Sequence, residues 1–125
     1  MRFLDKGIKE YVDLRIKSYD ALEEDLTNIV KCYSNLPNVQ SIVLYGSIAR
    51  ELNMKSTSDL DIMLIVDEFE DTRSVARCIS KATFDLETSR EIDTAFCATK
   101  TFYQKINECY YRNIIKEGVV LWQRS

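Results

Sequence analysis

The spacing of apolar and polar residues changes period several times along this chain, and each change predicts an element. After Gly7 neither glycine nor proline interrupts the chain until Pro37, and Ile8, Tyr11, Val12, Ile16, Tyr19, Leu22, Leu26, Ile29, Val30 and Tyr33 recur near helical spacing. One long helix, or two joined ones, is therefore expected from Asp5 to about Asn35. Leu36, Pro37 and Asn38 end it, because proline cannot continue a helix and restricts the residue before it. Ser41–Tyr45 reads as a buried strand, Ser47–Leu52 as a short helix, and the polar residues Asn53–Ser58 as a connecting loop with Lys55 on its substrate side. Asp59–Val66 is apolar on both faces after its two aspartates, as in a central strand covered on each side. Asp67–Asp71 reads as an acidic loop whose Asp71, or else Thr72, caps a helix burying Val75, Ile79, Ala82 and Leu86.

Farther on, Glu91–Ala98 alternates, with Ile92, Thr94, Phe96 and Ala98 on one face and Asp93, Ala95 and Cys97 on the other. Thr101–Lys116 predicts a second amphipathic helix through Phe102, Ile106, Cys109, Tyr110 and Ile114, closed by Gly118 as a C-cap. Tyr110 and Tyr111 fall at its core and rim, and Val119–Trp122 makes a last short strand. This order predicts an α/β domain whose mixed sheet of about four strands is flanked by helices. At 125 residues the chain is expected to be one domain, 1–125. The N-terminal stripe of Phe3, Leu4, Ile8, Tyr11 and Val12 either packs on its own sheet or meets another chain, which leaves a homo-oligomer possible.

Composition narrows the classes. The hydrophobic share of 46% is that of an ordinary globular chain, and a net charge of −3 argues against a sequence-independent nucleic-acid binder, which needs a basic face. No apolar stretch is long enough to span a membrane, and the charged N-terminus lacks a signal-peptide core, so a cytoplasmic location is expected. Cys32, Cys78, Cys97 and Cys109 are widely spaced with no C-x-x-C pair, which suggests neither zinc nor a disulfide framework; three of them are expected to be buried reduced thiols. Histidine is absent. That removes Ser-His-Asp hydrolases, Cys-His proteases and His-ligated metal enzymes together.

The remaining chemistry is concentrated in YGSIARELNMKSTSDLDIMLIV, residues 45–66. Residues two apart in a strand share a face, so Asp59 and Asp61 would present carboxylates side by side. Two unit charges about 4 Å apart repel by roughly 4 kcal/mol at an effective dielectric near 20, so such a pair takes up a proton or recruits a cation. Oxygen-only ligands suit Mg²⁺, which prefers a few carboxylates plus substrate phosphates and water. The plainer alternative is a solvated turn. Gly46 and Ser47 lie where the preceding apolar run ends, and a glycine there allows a sharp turn and close approach of a phosphate.

Gly46, Ser47, Ala49 and Arg50, followed by Ser58, Asp59, Leu60 and Asp61, resemble the signature of the minimal nucleotidyltransferases of the DNA polymerase beta superfamily. Eleven residues separate Ser47 from Asp59, similar to the family spacing, and IIKEGVVLW resembles the family's closing segment. The likeness covers residues 19–125, leaving 1–18 as an N-terminal helical extension. One departure is Glu51, which stands where the family usually has glycine.

The resemblance implies a nucleotidyltransferase in which Asp59, Asp61 and Asp93 bind two Mg²⁺ ions, while Gly46 and Ser47 hold the triphosphate of ATP or another NTP. Arg50 would steady the phosphates or pair with an acid of its own fold. Asp93 is the candidate for the third carboxylate, held mainly on the acceptor side; otherwise it is an edge aspartate paired with a residue such as Arg90. A hydroxyl would attack the α-phosphorus in line and pyrophosphate would leave. Because larger relatives add an acceptor-binding domain, the resemblance further implies an antitoxin that adenylylates a HEPN-type toxin protein. The alternatives are a non-catalytic antitoxin or binding protein of the same fold, and a dimeric small-molecule nucleotidyltransferase.

Overall fold

A computed structural model describes residues 1–4, 7–13, 21–50 and 59–125, without the side chains of Ser47 and Arg50. The strands are β1 (Arg2–Phe3), β2 (Val39–Tyr45), β3 (Leu60–Val66), β4 (Ile92–Ala98) and β5 (Val119–Gln123). The helices are α1 (Ile8–Asp13), α2 (Leu22–Ser34), α3 (Gly46–Arg50), α4 (Thr72–Phe84), α5 (Thr99–Gln104) and α6 (Cys109–Glu117). The sheet order is β1-β5-β2-β3-β4. β2 pairs antiparallel with β3 and β5, while β3–β4 and β1–β5 are parallel, so the sheet is mixed.

β3 lies inside the sheet between β2 and β4, and its two faces build two cores. Leu60, Ile62, Leu64 and Val66 pack with Leu22, Leu26, Ile29 and Tyr33 of α2, Tyr11 of α1 and Ile79 of α4. Met63 and Ile65 point the other way, onto Val43, Cys97, Val120, Phe102 of α5 and Ile114 of α6. The period of two along the strand against near-helical spacing in α2 produces this three-layer arrangement. Fully burying a Leu or Ile side chain contributes about 1.5–3 kcal/mol, so β3 is the element whose placement is most strongly fixed.

Local chemistry sets the ends. Asp71 caps α4 by accepting from the Arg73 and Ser74 amides at 3.1 and 3.3 Å, as its position in the sequence predicts. Acidic residues open α2 and Lys31 lies in its last turn, both favourable to the helix dipole. Gly118 does cap α6, donating its amide to the Ile114 carbonyl at 2.7 Å, but in an extended conformation. A Cβ there would overlap that carbonyl and lie 2.8 Å from Val43 Cγ1, so close backbone approach is what requires glycine.

The strand count needs correction. The sheet has five strands, because Arg2–Phe3 pairs with Val119–Val120 where a helical extension was expected. A two-residue strand held by backbone pairing leaves no periodic signal. Of the one long helix or two joined ones expected over 5–35, the described residues form α1 and α2, and residues 5–6 and 14–20 lie outside the described residues. Within this segment Tyr11 is buried and Leu4, Ile8 and Val12 pack on the first core, so the stripe turns inward, leaving Phe3 exposed.

The Thr101–Lys116 helix is also two helices. Lys105 ends α5 by donating to Phe102 and Thr101 carbonyls, and a turn from Glu108 back to Lys105 precedes α6. The break shifts the helical phase, so Ile106, Cys109 and Tyr110 are exposed while Phe102 and Ile114 are buried. All four cysteines are free, but Cys78 and Cys109 are exposed, leaving Cys97 buried and Cys32 half-buried against the expected three buried thiols. Among the described residues no helix is long and apolar enough to cross a membrane.

Candidate active site

The register of three neighbouring strands brings the candidate chemistry into one row. Tyr45 at the end of β2 is the partner of Asp61 on β3, and Asp61 is the partner of Asp93 on β4. Register partners share a face, so the phenol and both carboxylates lie on the side of the sheet that carries α5 and α6. Strand spacing places neighbouring backbones about 4.8 Å apart, close enough for the carboxylates to repel. Asp61 is half-buried and Asp93 is exposed, which gives the row an inner and an outer end. Asp59 stands just before β3, exposed.

Gly46 turns the chain from β2 into α3 with φ of 79°, a conformation that side chains resist. A Cβ at this position would overlap Asp61 Oδ2 and lie 2.9 Å from its Cγ. The sequence suggests glycine because a phosphate must come close; the structure shows that the Asp61 carboxylate already lies against this Cα. Ile48 and Ala49 are buried and anchor α3, while Ser47 lies in its first turn and Arg50 at its end. Glu51, Lys55 and Ser58, together with the expected end of the short helix at Leu52, fall outside the described residues.

Tyr45 is a member of the row that its sequence position did not reveal. Its hydroxyl lies 2.8 Å from the Tyr110 hydroxyl, and the two rings meet edge to face with centroids 6.1 Å apart. Burial pushes the Tyr45 phenol well above the usual tyrosine range; the bond to Tyr110 and the nearby charges of Asp61 and Asp93 add to the rise. A neutral phenol thus flanks the carboxylates. Alternation along β2 puts Tyr45 on the Val43 face, but only the β2–β3 register shows that this is the Asp61 face.

A second clamp acts from the far side. Asp25 of α2 is buried and accepts from the Ser89 amide at 2.9 Å and the Ser89 hydroxyl at 2.7 Å, tying α2 to the loop before β4. The Leu60 amide donates to the Glu91 carbonyl at 2.9 Å, so the chain enters β4 already registered on β3. Both contacts set the level at which Asp93 meets Asp61.

Adjacent carboxylates with oxygen-only donors fit Mg²⁺, which binds through one or two carboxylates completed by substrate phosphates and water. Among the described residues no three acidic or thiol groups already converge to hold an ion. The row thus joins Asp61 and Asp93, and Asp59 is at its margin.

Comparison with known proteins gives the same fold. Residues 27–125 match the family model "Polymerase beta, Nucleotidyltransferase". A protein from Sulfolobus solfataricus, provisionally described as a nucleotidyltransferase, shares the architecture at 19% identity over 97% of this chain and 93% of its own, with a TM-score of 0.55. Two further similar structures are a toxin-antitoxin with AMP-PNP and a tri-AMPylated Shewanella oneidensis HEPN toxin in complex with MNT antitoxin. The first has 19% identity over 81% of this chain and 75% of that one, with a TM-score of 0.48. The second has 18% identity over 82% and 72%, with a TM-score of 0.48. No curated protein matches the chain.

Proposed function

The chain belongs to the polymerase beta nucleotidyltransferase family, and from that membership we propose that it transfers AMP from ATP to a hydroxyl on a partner protein. The observation that carries the proposal is the in-register row of Tyr45, Asp61 and Asp93 with Gly46 against Asp61. Asp61 and Asp93, joined by Asp59, would hold Mg²⁺. Bound there, two such ions would offset the charge of the triphosphate and of the acceptor oxygen.

The chain's own residues have distinct tasks in this reading. Gly46 lets the chain turn tightly over the Asp61 carboxylate at the inner end of the row, and Ser47 and Arg50 would contact the triphosphate oxygens. Asp93, at the exposed outer end, meets the acceptor hydroxyl and takes its proton as the oxygen bonds to the α-phosphorus and pyrophosphate departs. Tyr45 stays neutral and adds no charge beside the phosphates. The site is thus asymmetric, with nucleotide toward β2 and acceptor toward β4.

The acceptor protein in this proposal is a toxin of the HEPN kind, with the present chain as its cytoplasmic antitoxin. The two sequence motifs, which resemble the minimal members of the family, favour it. The test is to incubate the protein with Mg²⁺, ATP labelled on its α-phosphate and a lysate of its host. A labelled protein band that disappears with Asp61→Asn is the expected result. Label that persists with Asp61→Asn, or no label on any protein with the wild-type chain, would contradict it.

A further inference from the structure

Five aromatic rings lead in unbroken contact from the carboxylate row to the outer surface of α5. Tyr45 meets Tyr110 with centroids 6.1 Å apart, Tyr110 meets Tyr111 at 5.2 Å, Tyr111 meets Phe102 at 5.9 Å, and Phe102 meets Tyr103 at 5.5 Å, each pair edge to face. We propose that the exposed side of this series, with Ile106 and the cations beside it, is the surface on which the acceptor protein docks, through an acidic segment that also carries an apolar side chain. The inference rests on the reading that the acceptor is a protein, and it adds the surface that would hold it.

The inner rings are anchored. Phe102 is fully buried and Tyr111 packs against the same core, so the series has a fixed base. The outer members are uncovered, with Tyr103 54%, Tyr110 46% and Ile106 38% exposed. Ile106 lies in the turn between α5 and α6, and that break is what leaves it and Tyr110 facing outward. Large apolar side chains scattered singly over a surface need no explanation, but a group of them on one short segment marks a contact surface. Tyrosine and arginine are also the residue types on which binding energy concentrates.

Charge indicates the partner. Lys100, Lys105 and Arg112 are exposed on this segment and Glu108 is the one acid among them, in a chain whose net charge is −3. A local excess of positive charge attracts carboxylates, although basic and aromatic surface together also suits a single-stranded nucleic acid. Two observations favour the protein. Base stacking needs open ring faces, whereas these rings pack edge to face and Lys105 covers Tyr111, its Nζ 5.6 Å from the ring centroid. A nucleic-acid strand reaching the row would also carry its phosphates past the exposed carboxylates of Asp59 and Asp93, where a protein can present an uncharged hydroxyl. The row spans three neighbouring strands, roughly 10 Å, so a protein seated beside Tyr45 can reach its Asp93 end.

The test follows the rate at which the protein band in the host lysate is labelled from ATP and Mg²⁺, for the wild type, Tyr103→Ala, Arg112→Glu and Arg112→Lys. Both positions are exposed and outside the row, and a thermal melt of each variant verifies its fold. The expected result is labelling at least about tenfold slower with Tyr103→Ala and with Arg112→Glu, and near the wild-type rate with Arg112→Lys, which keeps the charge. All three should bind ATP with Mg²⁺ as the wild type does in calorimetry. Labelling at the wild-type rate by Tyr103→Ala and Arg112→Glu would overturn the docking surface and leave the transfer reading standing. Wild-type labelling that ribonuclease treatment of the lysate abolishes would overturn it in favour of a nucleic acid. If the wild type labels no protein, the acceptor reading falls and the docking surface with it.

Discussion

Gly46→Ala is the substitution in which sequence, backbone and site meet, and Gly7→Ala is its natural control. Both glycines have positive φ, 79° at Gly46 and 90° at Gly7, so each alanine bears the strain of a left-handed conformation, about 1–2 kcal/mol. That cost is partly offset in both by about 0.4–1 kcal/mol, because alanine is less free than glycine in the unfolded chain. The surroundings differ. A Cβ at Gly7 meets nothing within 4 Å, whereas at Gly46 it overlaps the Asp61 carboxylate. Relief requires Asp61 to leave its rotamer, at about 0.5–1.5 kcal/mol, and to give up its place in the row.

Gly46→Ala should therefore cost about 1–3 kcal/mol, roughly 1 kcal/mol more than Gly7→Ala, read by urea denaturation. The gap should shrink in an Asp61→Ala background, which removes the overlapping oxygen and Cγ and leaves the Asp61 Cβ at 3.2 Å. Equal costs for the two glycines, or a Gly46→Ala cost indifferent to Asp61→Ala, would show that the carboxylate does not rest on this turn.

Other predictions follow from the same geometry. Asp93→Asn should abolish transfer yet raise the metal-free melting temperature slightly, because repulsion from Asp61 at an exposed edge is worth about 1 kcal/mol; a lower melting temperature would make Asp93 structural. Asp25→Ala removes two bonds from a buried carboxylate to Ser89 and should cost about 3 kcal/mol in urea; a loss below about 1 kcal/mol would mean that the clamp does not hold the β4 loop. Tyr45 keeps its proton in the folded chain where the unfolded chain releases it, so stability is full below a pH of about 10 and falls as pH rises above it. Tyr45→Phe should flatten that fall, and an unchanged alkaline profile would argue against the phenol's raised affinity for its proton.

How much of this was legible beforehand depended on the kind of signal. β2, β3, β4 and α4 were readable because their residues are strongly patterned: an apolar run, a strict alternation, and Asp71 at a cap position. The role of Arg2–Phe3 was not, since backbone pairing to β5 has no side-chain signature. Nor was the break at Lys105–Glu108, where Ile106 and Cys109 keep a helical spacing although the backbone between them turns. In the site, Asp61 and Asp93 could each be placed on a strand, but a row requires registers between strands, and those arise from burial of both faces of β3. Tyr45 enters the site only through that register. Glycine at 46 reads in the sequence as a place where a phosphate comes close, whereas in the fold the group against it is the Asp61 carboxylate.

The central claim is that the row beside Gly46 is a metal-nucleotide site, and the coupling between its two ligands tests it most directly. ATP affinity should be measured by calorimetry with and without Mg²⁺, for the wild type and for Asp61→Asn. The account predicts weak ATP binding without Mg²⁺, binding at least about tenfold tighter with it, and loss of that gain in Asp61→Asn. ATP binding that is indifferent to Mg²⁺, or a gain that survives Asp61→Asn, would contradict it.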